Sequence, residues 1–122
     1  MSPRVLVVDD EELLGKALAR AFQIDGWESE TSNGAAAALR VLGAGPPFDA
    51  VIVDFLMPDM HGTEVLRWLA AHHPRTKRFL MTAQLDFARE ASADGLAHAV
   101  FQKPFANVLD LPKTVRPFLP CE

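Results

Sequence analysis

Val5-Leu6-Val7-Val8 is apolar at every position and stops against Asp9-Asp10-Glu11-Glu12. A run this short is strand length, and it keeps no polar side for water. Such a strand belongs in a parallel sheet that is covered on both faces. The pattern returns along the chain. Ala50-Val51-Ile52-Val53 stops at Asp54, Arg78-Phe79-Leu80-Met81 stops at Thr82, and Ala97 to Gln102 stops at Lys103-Pro104. A weaker alternating stretch, Trp27 to Thr31, predicts one more strand.

Helical patterns fill the intervals. Leu13, Leu14, Ala17, Leu18, Ala21 and Phe22 recur at helical spacing behind the acidic cluster, and Gly26 marks the helix end. The acids suit the positive N-terminal end of that helix. Ser32-Asn33-Gly34 reads as a turn or cap before an alanine-rich helix from Ala35 to Leu42, and Gly43 to Pro47 as a loop. Phe55 to Gly62 is irregular, broken by Pro58 and Gly62. Thr63 is placed to cap a helix from Glu64 to about His72, with Val65, Leu66 and Leu69 inward. A short helix is expected over Phe87 to Ala93, and a last one after Ala106 that Pro112 and Pro117 keep short or broken.

Strands alternating with helices predict an α/β fold: an open, doubly wound parallel sheet of five strands with helices on both faces. At 122 residues and 49% apolar, the chain has material for one core and reads as one domain, 1–122. A net charge of −4 gives no basic face for nucleic acid. No apolar run approaches the ~20 residues of a membrane span. Met1-Ser2-Pro3-Arg4 leads straight into the first strand and does not read as a signal peptide. With Cys121 as the single cysteine, no internal disulfide can form, and a reducing cytoplasm is the natural setting.

In an open parallel sheet the carboxyl ends of the strands form the ligand crevice. Asp9, Asp10, Asp54, Thr82 and Lys103 all stand at such ends. Each alone has an ordinary explanation, as a helix cap, a turn aspartate, a strand-end threonine or a surface lysine. Their joint position argues for a site. Three crowded carboxylates suit a hard cation, and Mg²⁺ takes one or two of them while keeping waters and a phosphate oxygen. Lys103 adds a point charge and Thr82 a hydroxyl donor, which together stabilise a transferring phosphoryl group. A carboxylate can itself be the nucleophile, and Asp54 stands alone on the middle segment.

At these residues the chain resembles the receiver domains of response regulators. The acidic opening Val5 to Glu11 is similar to theirs. So is the segment Asp54-Phe55-Leu56-Met57-Pro58-Asp59-Met60-His61-Gly62, and so are Met81-Thr82-Ala83 and Lys103-Pro104-Phe105. The resemblance implies a flavodoxin-like fold in which Asp54 is the phosphoacceptor and Thr82 and Lys103 grip phosphoryl oxygens. Asp10, Asp54 and the Leu56 backbone carbonyl would hold Mg²⁺, with Asp9 acting through a water. It implies a sensor histidine kinase or a histidine phosphotransfer protein as donor. A downstream protein or a fused output domain would read the signal. Leu56 and Gln84, two positions after Asp54 and Thr82, would flank the path of the hydrolytic water. Leucine offers that water no hydrogen bond, so a slow loss of phosphate is expected.

The chain departs from the family pattern in three places. Val100 holds the switch position, three before the lysine, where Tyr or Phe is usual; Phe101 follows it on the opposite face and reads as core. Gly95 lies one residue further from Lys103 than usual, which makes a local bulge conceivable. The tail prolines alter the usual partner face formed by the last helices and strand. A rival reading, a phosphatase of the haloacid-dehalogenase type, needs a second aspartate two after the nucleophile. Leu56 and Glu11 stand at the two corresponding positions. A degenerate receiver serving only as an interaction domain is a third reading, and the intact acidic pair, Asp54, Thr82 and Lys103 argue against it. His61, His72, His73, His98, Trp27 and Trp68 read as loop, capping, strand and packing residues. A stand-alone receiver and a piece of a longer regulator or hybrid kinase both remain open.

Overall fold

The computed structural model describes residues 2–84 and 95–120. The helix expected over Phe87 to Ala93 and the lone Cys121 lie outside the described residues. Strands β1 (Arg4–Val8), β2 (Glu28–Ser32), β3 (Ala50–Asp54), β4 (Lys77–Thr82) and β5 (Ala99–Gln102) form one sheet in the order β2-β1-β3-β4-β5. Every neighbouring pair is parallel. Helices α1 (Glu12–Ile24), α2 (Ala35–Ala44) and α3 (Gly62–His72) follow β1, β2 and β3.

The strict alternation of a strand divides the apolar residues between two cores. Val5, Val7, Ala50, Ile52, Phe79 and Met81 face one way and pack with Leu18 and Phe22 of α1 and with Leu111 and Val115 near the C-terminus. Leu6, Val8, Val51, Val53 and Leu80 face the other way and pack with Ala38 and Leu42 of α2 and with Val65, Leu66 and Leu69 of α3. The central strands β1 and β3 are buried on both faces, which is why their sequences show no polar alternate. β2 is one of the two edge strands and mostly exposed, hence its mixed composition.

Helix α1 ends in a Schellman motif. Gly26 has φ of 91°, its N–H donates to the Gln23 carbonyl, and the Trp27 N–H donates to the Phe22 carbonyl. The apolar contact that accompanies such motifs is the Phe22–Trp27 ring pair, with centroids 5.0 Å apart. Trp27 is therefore a packing residue placed just before β2.

Three local expectations need correction, and the short tail helix is as expected. Helix α3 starts at Gly62 with His61 at its N-cap, so Thr63 is inside the first turn and caps nothing. β5 starts at Ala99 rather than Ala97, and His98 sits one residue before it. There the His98 ring Nδ1 accepts the Arg78 backbone N–H at 3.0 Å, and the His98 backbone N–H donates to the Arg78 carbonyl. The β4–β5 ladder runs unbroken from Phe79↔Ala99 to Thr82↔Gln102, so the extra residue after Gly95 makes no bulge in it. In the tail, Pro112 falls in the first turn of the helix Leu111–Val115, where its missing N–H costs nothing. That helix is short, with 3₁₀ turns Val108–Asp110 and Arg116–Phe118 on either side.

Candidate functional site

The strand order reverses at β1. The chain leaves β1 for β2 on one side and returns to β3 on the other. The carboxyl ends of β1 and β3 thus border the crevice that this topology opens. Asp9 and Asp10 follow β1, and Asp54 ends β3. Asp9, Asp10 and Asp54 each offer a carboxylate oxygen, and these oxygens all lie within 4.8 Å of one another.

Lys103 reaches into this group from the end of β5. Its ammonium donates to Asp9 Oδ2 at 3.1 Å, Asp54 Oδ2 at 3.3 Å and Glu11 Oε1 at 3.4 Å. The side chains of Lys103, Asp9 and Asp54 are at most 10% exposed. The lysine is set in place by its backbone, whose N–H donates to the Thr82 carbonyl at 2.8 Å. Asp9 uses both oxygens within the protein, since Oδ1 accepts the Glu11 N–H at 2.9 Å. The Thr82 hydroxyl oxygen accepts the Gln84 N–H at 2.9 Å, which fixes it and leaves the hydroxyl proton as its donor.

The electrostatics are those of a site short of positive charge. Burial, and then the Asp9 charge, push the Asp54 carboxyl up to about 7, against the pull of Lys103. Burial lowers the Lys103 ammonium, but the Asp54 charge and the Asp9 and Glu11 carboxylates outweigh it and hold it above its ordinary value. One lysine does not neutralise this group. A hard cation seated among the three aspartates would relieve the repulsion, and an all-oxygen donor set suits Mg²⁺.

A cleft of about 270 Å³ opens at this rim, lined by Asp10, Glu11, Asp54, Leu56, Thr82, Ala83, Gln84 and Lys103. It gathers Asp10, Asp54, Leu56, Thr82, Gln84 and Lys103 from four segments, those that follow or end β1, β3, β4 and β5. Asp9 does not line it and is buried. Val100 does not belong to it; it pairs with Leu80 in the ladder and packs on the core under α2 and α3. Phe101 faces the opposite core and stacks on Phe79 at 5.6 Å.

Close approach explains one glycine. A Cβ on Gly62 would stand 2.3 Å from the Asp54 carbonyl oxygen and 2.8 Å from Val53 Cγ1. Only glycine lets α3 begin so near the end of β3, with the Gly62 N–H donating to the Phe55 carbonyl at 2.8 Å. Two residues at the site carry no signal in the sequence beyond their charge. Glu11 is one of four consecutive acids, and only the fold shows that it shares Lys103. Asp59 lies in the β3–α3 loop, and its carboxylate accepts backbone N–H groups of α2.

The comparisons with known proteins agree with one another. The family model for the response regulator receiver domain matches residues 5–116. The regulatory protein AtoC of Escherichia coli (strain K12) is 36% identical over 104 residues, covering 84% of this chain and 22% of that protein. The response regulator MprA of Mycobacterium ulcerans is 33% identical over 107 residues, covering 87% of this chain and 46% of that protein. The chain therefore spans about a fifth to a half of the length of these curated relatives. The response regulator TrrA of Thermotoga maritima, solved in complex with Mg(2+)-BeF, superposes with a TM-score of 0.84 at 31% identity. The match covers 96% of this chain and 99% of that one. The chemotaxis response regulator CheY4 of Vibrio cholerae gives 0.86 at 26% identity, covering 98% and 100%. The matched span runs from β1 through the short C-terminal helix and takes in every strand end that builds the cleft. The chain belongs to the response regulator receiver domains, the phosphoacceptor switches of two-component signalling.

Proposed function

We propose that Asp54 is the phosphoacceptor of this domain and that Asp10, Asp54 and the Leu56 backbone carbonyl hold a Mg²⁺ ion, with Asp9 acting through a water. The observation that carries the reading is the Lys103 ammonium. It bonds Asp54 at 3.3 Å inside a cleft that Thr82 also lines. An Asp54 oxygen attacks phosphorus, the nitrogen–phosphorus bond of a phosphohistidine breaks, and the electron pair stays on the imidazole, which takes a proton. Lys103 and the Thr82 hydroxyl stabilise charge on the phosphoryl oxygens. When bound, Mg²⁺ supplies a Lewis acid that offsets the charge of the incoming phosphoryl group. Asp9 spends one oxygen on Lys103 and one on the Glu11 N–H, which favours its outer position toward the metal.

In this reading the residues 1–122 form one receiver domain. Its donor is a sensor histidine kinase or a histidine phosphotransfer protein, and its reader a downstream protein or a fused output domain. The domain works in the cytoplasm, without direct nucleic-acid or membrane contact. Among the described residues no helix is long and apolar enough to cross a membrane. The switch position is Val100, which has no ring to reorient. Leu56, 44% exposed at the cleft, and the exposed Gln84 flank the water path and set the phosphate lifetime.

Calorimetric titration with Mg²⁺ tests the metal half of the proposal. The unmodified chain should bind the ion, and Asp10→Ala should bind it at least about tenfold more weakly. Equal affinity in the two proteins would contradict the ligand assignment.

A further inference from the structure

Helix α2 has no cap of its own. Its N-cap residue is Gly34, which has no side chain to accept the first N–H groups. A residue far along the chain does this instead. Asp59 Oδ2 accepts the Ala36 N–H at 2.9 Å, and Oδ1 accepts the Ala35 N–H at 3.4 Å and its own loop's Met60 N–H at 3.1 Å. These bonds hold the Asp59 carboxyl below its ordinary value, the Ala36 N–H contributing most.

Asp59 sits in the loop that leaves Asp54 and carries Leu56. The base of that loop is closed by the Phe55 N–H on the Met81 carbonyl and the Gly62 N–H on the Phe55 carbonyl. Its outer turn has Asp59 as its link to α2. Without that polar link the turn would be held by the closed base and by the apolar packing of the buried Met57 and half-buried Met60. We propose that Asp59 is a positioning residue for the metal site, fixing the β3–α3 loop against the start of α2 so that the Leu56 carbonyl is held ready for the cation. This rests on the reading of Leu56 as a ligand given above. A carboxylate bonded to helix N–H groups is a strong anchor, because the charge and the helix dipole both favour it. Groups that orient metal ligands typically matter by tenfold or more in affinity.

A helix cap and a loop anchor predict different things, and they can be separated. Gly34 has φ of 178°, extended backbone that serine adopts freely, and a Cβ there would meet Asp59 at an ordinary 3.5 Å. Gly34→Ser therefore gives α2 a local cap. Compare the unmodified chain, Asp59→Ala, Asp59→Asn, and the double variant Gly34→Ser/Asp59→Ala by thermal unfolding, by calorimetry with Mg²⁺ alone, and by phosphorylation from acetyl phosphate. We expect Asp59→Ala to bind Mg²⁺ roughly tenfold more weakly. Its phosphorylation should slow at low Mg²⁺ and recover at saturating Mg²⁺. Asp59→Asn, which keeps an acceptor oxygen, should fall between. The double variant should regain the melting temperature but not the affinity. The proposal is overturned if Asp59→Ala binds Mg²⁺ as tightly as the unmodified chain, or if the double variant regains stability and affinity together. Failure of the unmodified chain to bind Mg²⁺ would count instead against the ligand assignment itself.

Discussion

The two ends of the sheet treat charge in opposite ways. At the amino end, charges are matched to partners. Arg4 pairs with Glu30 at 3.3 Å and lies over the Phe48 ring at 4.3 Å, while its backbone N–H donates to Asp49 at 2.7 Å. Arg78 donates to the Leu96 carbonyl at 2.7 Å, and the buried Thr76 hydroxyl donates to the Phe48 carbonyl at 2.7 Å. At the carboxyl end, Asp9, Glu11 and Asp54 all pair with Lys103, Asp10 brings a further carboxylate within 4.8 Å of those of Asp9 and Asp54, and among the described residues Lys103 is the cation paired with them. The amino end is arranged for stability. The carboxyl end keeps an excess of negative charge that folding alone would remove, as expected of a place built for an ion and a phosphoryl group.

The largest expected effect sharpens this contrast through the sign of a substitution. The folded-state pKa of Asp54 lies at about 7, above its ordinary 3.8. Between these values the unfolded chain ionises first, so the penalty for folding grows as pH rises and is complete above about 7. Asp54→Asn should therefore stabilise the metal-free protein at pH 8, on the order of 1–3 kcal/mol. The gain should shrink toward zero near pH 4. Urea unfolding at the two pH values in the presence of a chelator measures it. A destabilised Asp54→Asn at pH 8 would mean that the lysine already balances the cleft.

The next effect concerns chemistry without stability. Leu56 offers no hydrogen bond to a water approaching the phosphoryl group, while Gln84 across the cleft can orient one. Leu56→Asn should shorten the phosphate lifetime, up to about tenfold or roughly 1.4 kcal/mol of barrier, with little change in melting temperature. Loading both proteins, removing the donor and following intact mass over time measures it. Equal lifetimes would assign the rate to Gln84 or to loop motion.

The smallest effect belongs to the opposite end. Thr76→Val deletes a buried hydrogen bond and should cost about 1 kcal/mol at every pH. It should leave phosphorylation unchanged. A slower phosphorylation in this variant would show that the two ends are coupled through β4, and the contrast would fail.

How far the sequence discloses this arrangement depends on the range of the interaction. β1 and β3 announce themselves because burial on both faces removes every polar alternate. Asp54, Thr82 and Lys103 are legible because each ends such a strand. Gly26 is legible because a left-handed residue after a helix has a strong preference for glycine. Thr63 misleads because the local pattern suits a cap, while the close approach of Gly62 to Asp54 starts the helix earlier. Ala97 is buried and reads as strand, yet the His98 ring already takes the Arg78 N–H that a ladder partner would have taken. Asp59 is invisible in any local window, because the helix it caps begins 24 residues upstream. Short-range patterns expose the elements and the strand-end residues, and only the fold exposes the bonds between distant loops.

In the proposed function, the excess charge at the carboxyl end serves phosphoryl transfer to Asp54. Incubation of the chain and of Asp54→Asn with acetyl phosphate and Mg²⁺, followed by intact mass, tests it most directly. One added phosphoryl group is expected on the unmodified chain, none when Mg²⁺ is chelated, and none on Asp54→Asn under any condition. A variant that gains phosphate as readily as the unmodified chain would contradict it.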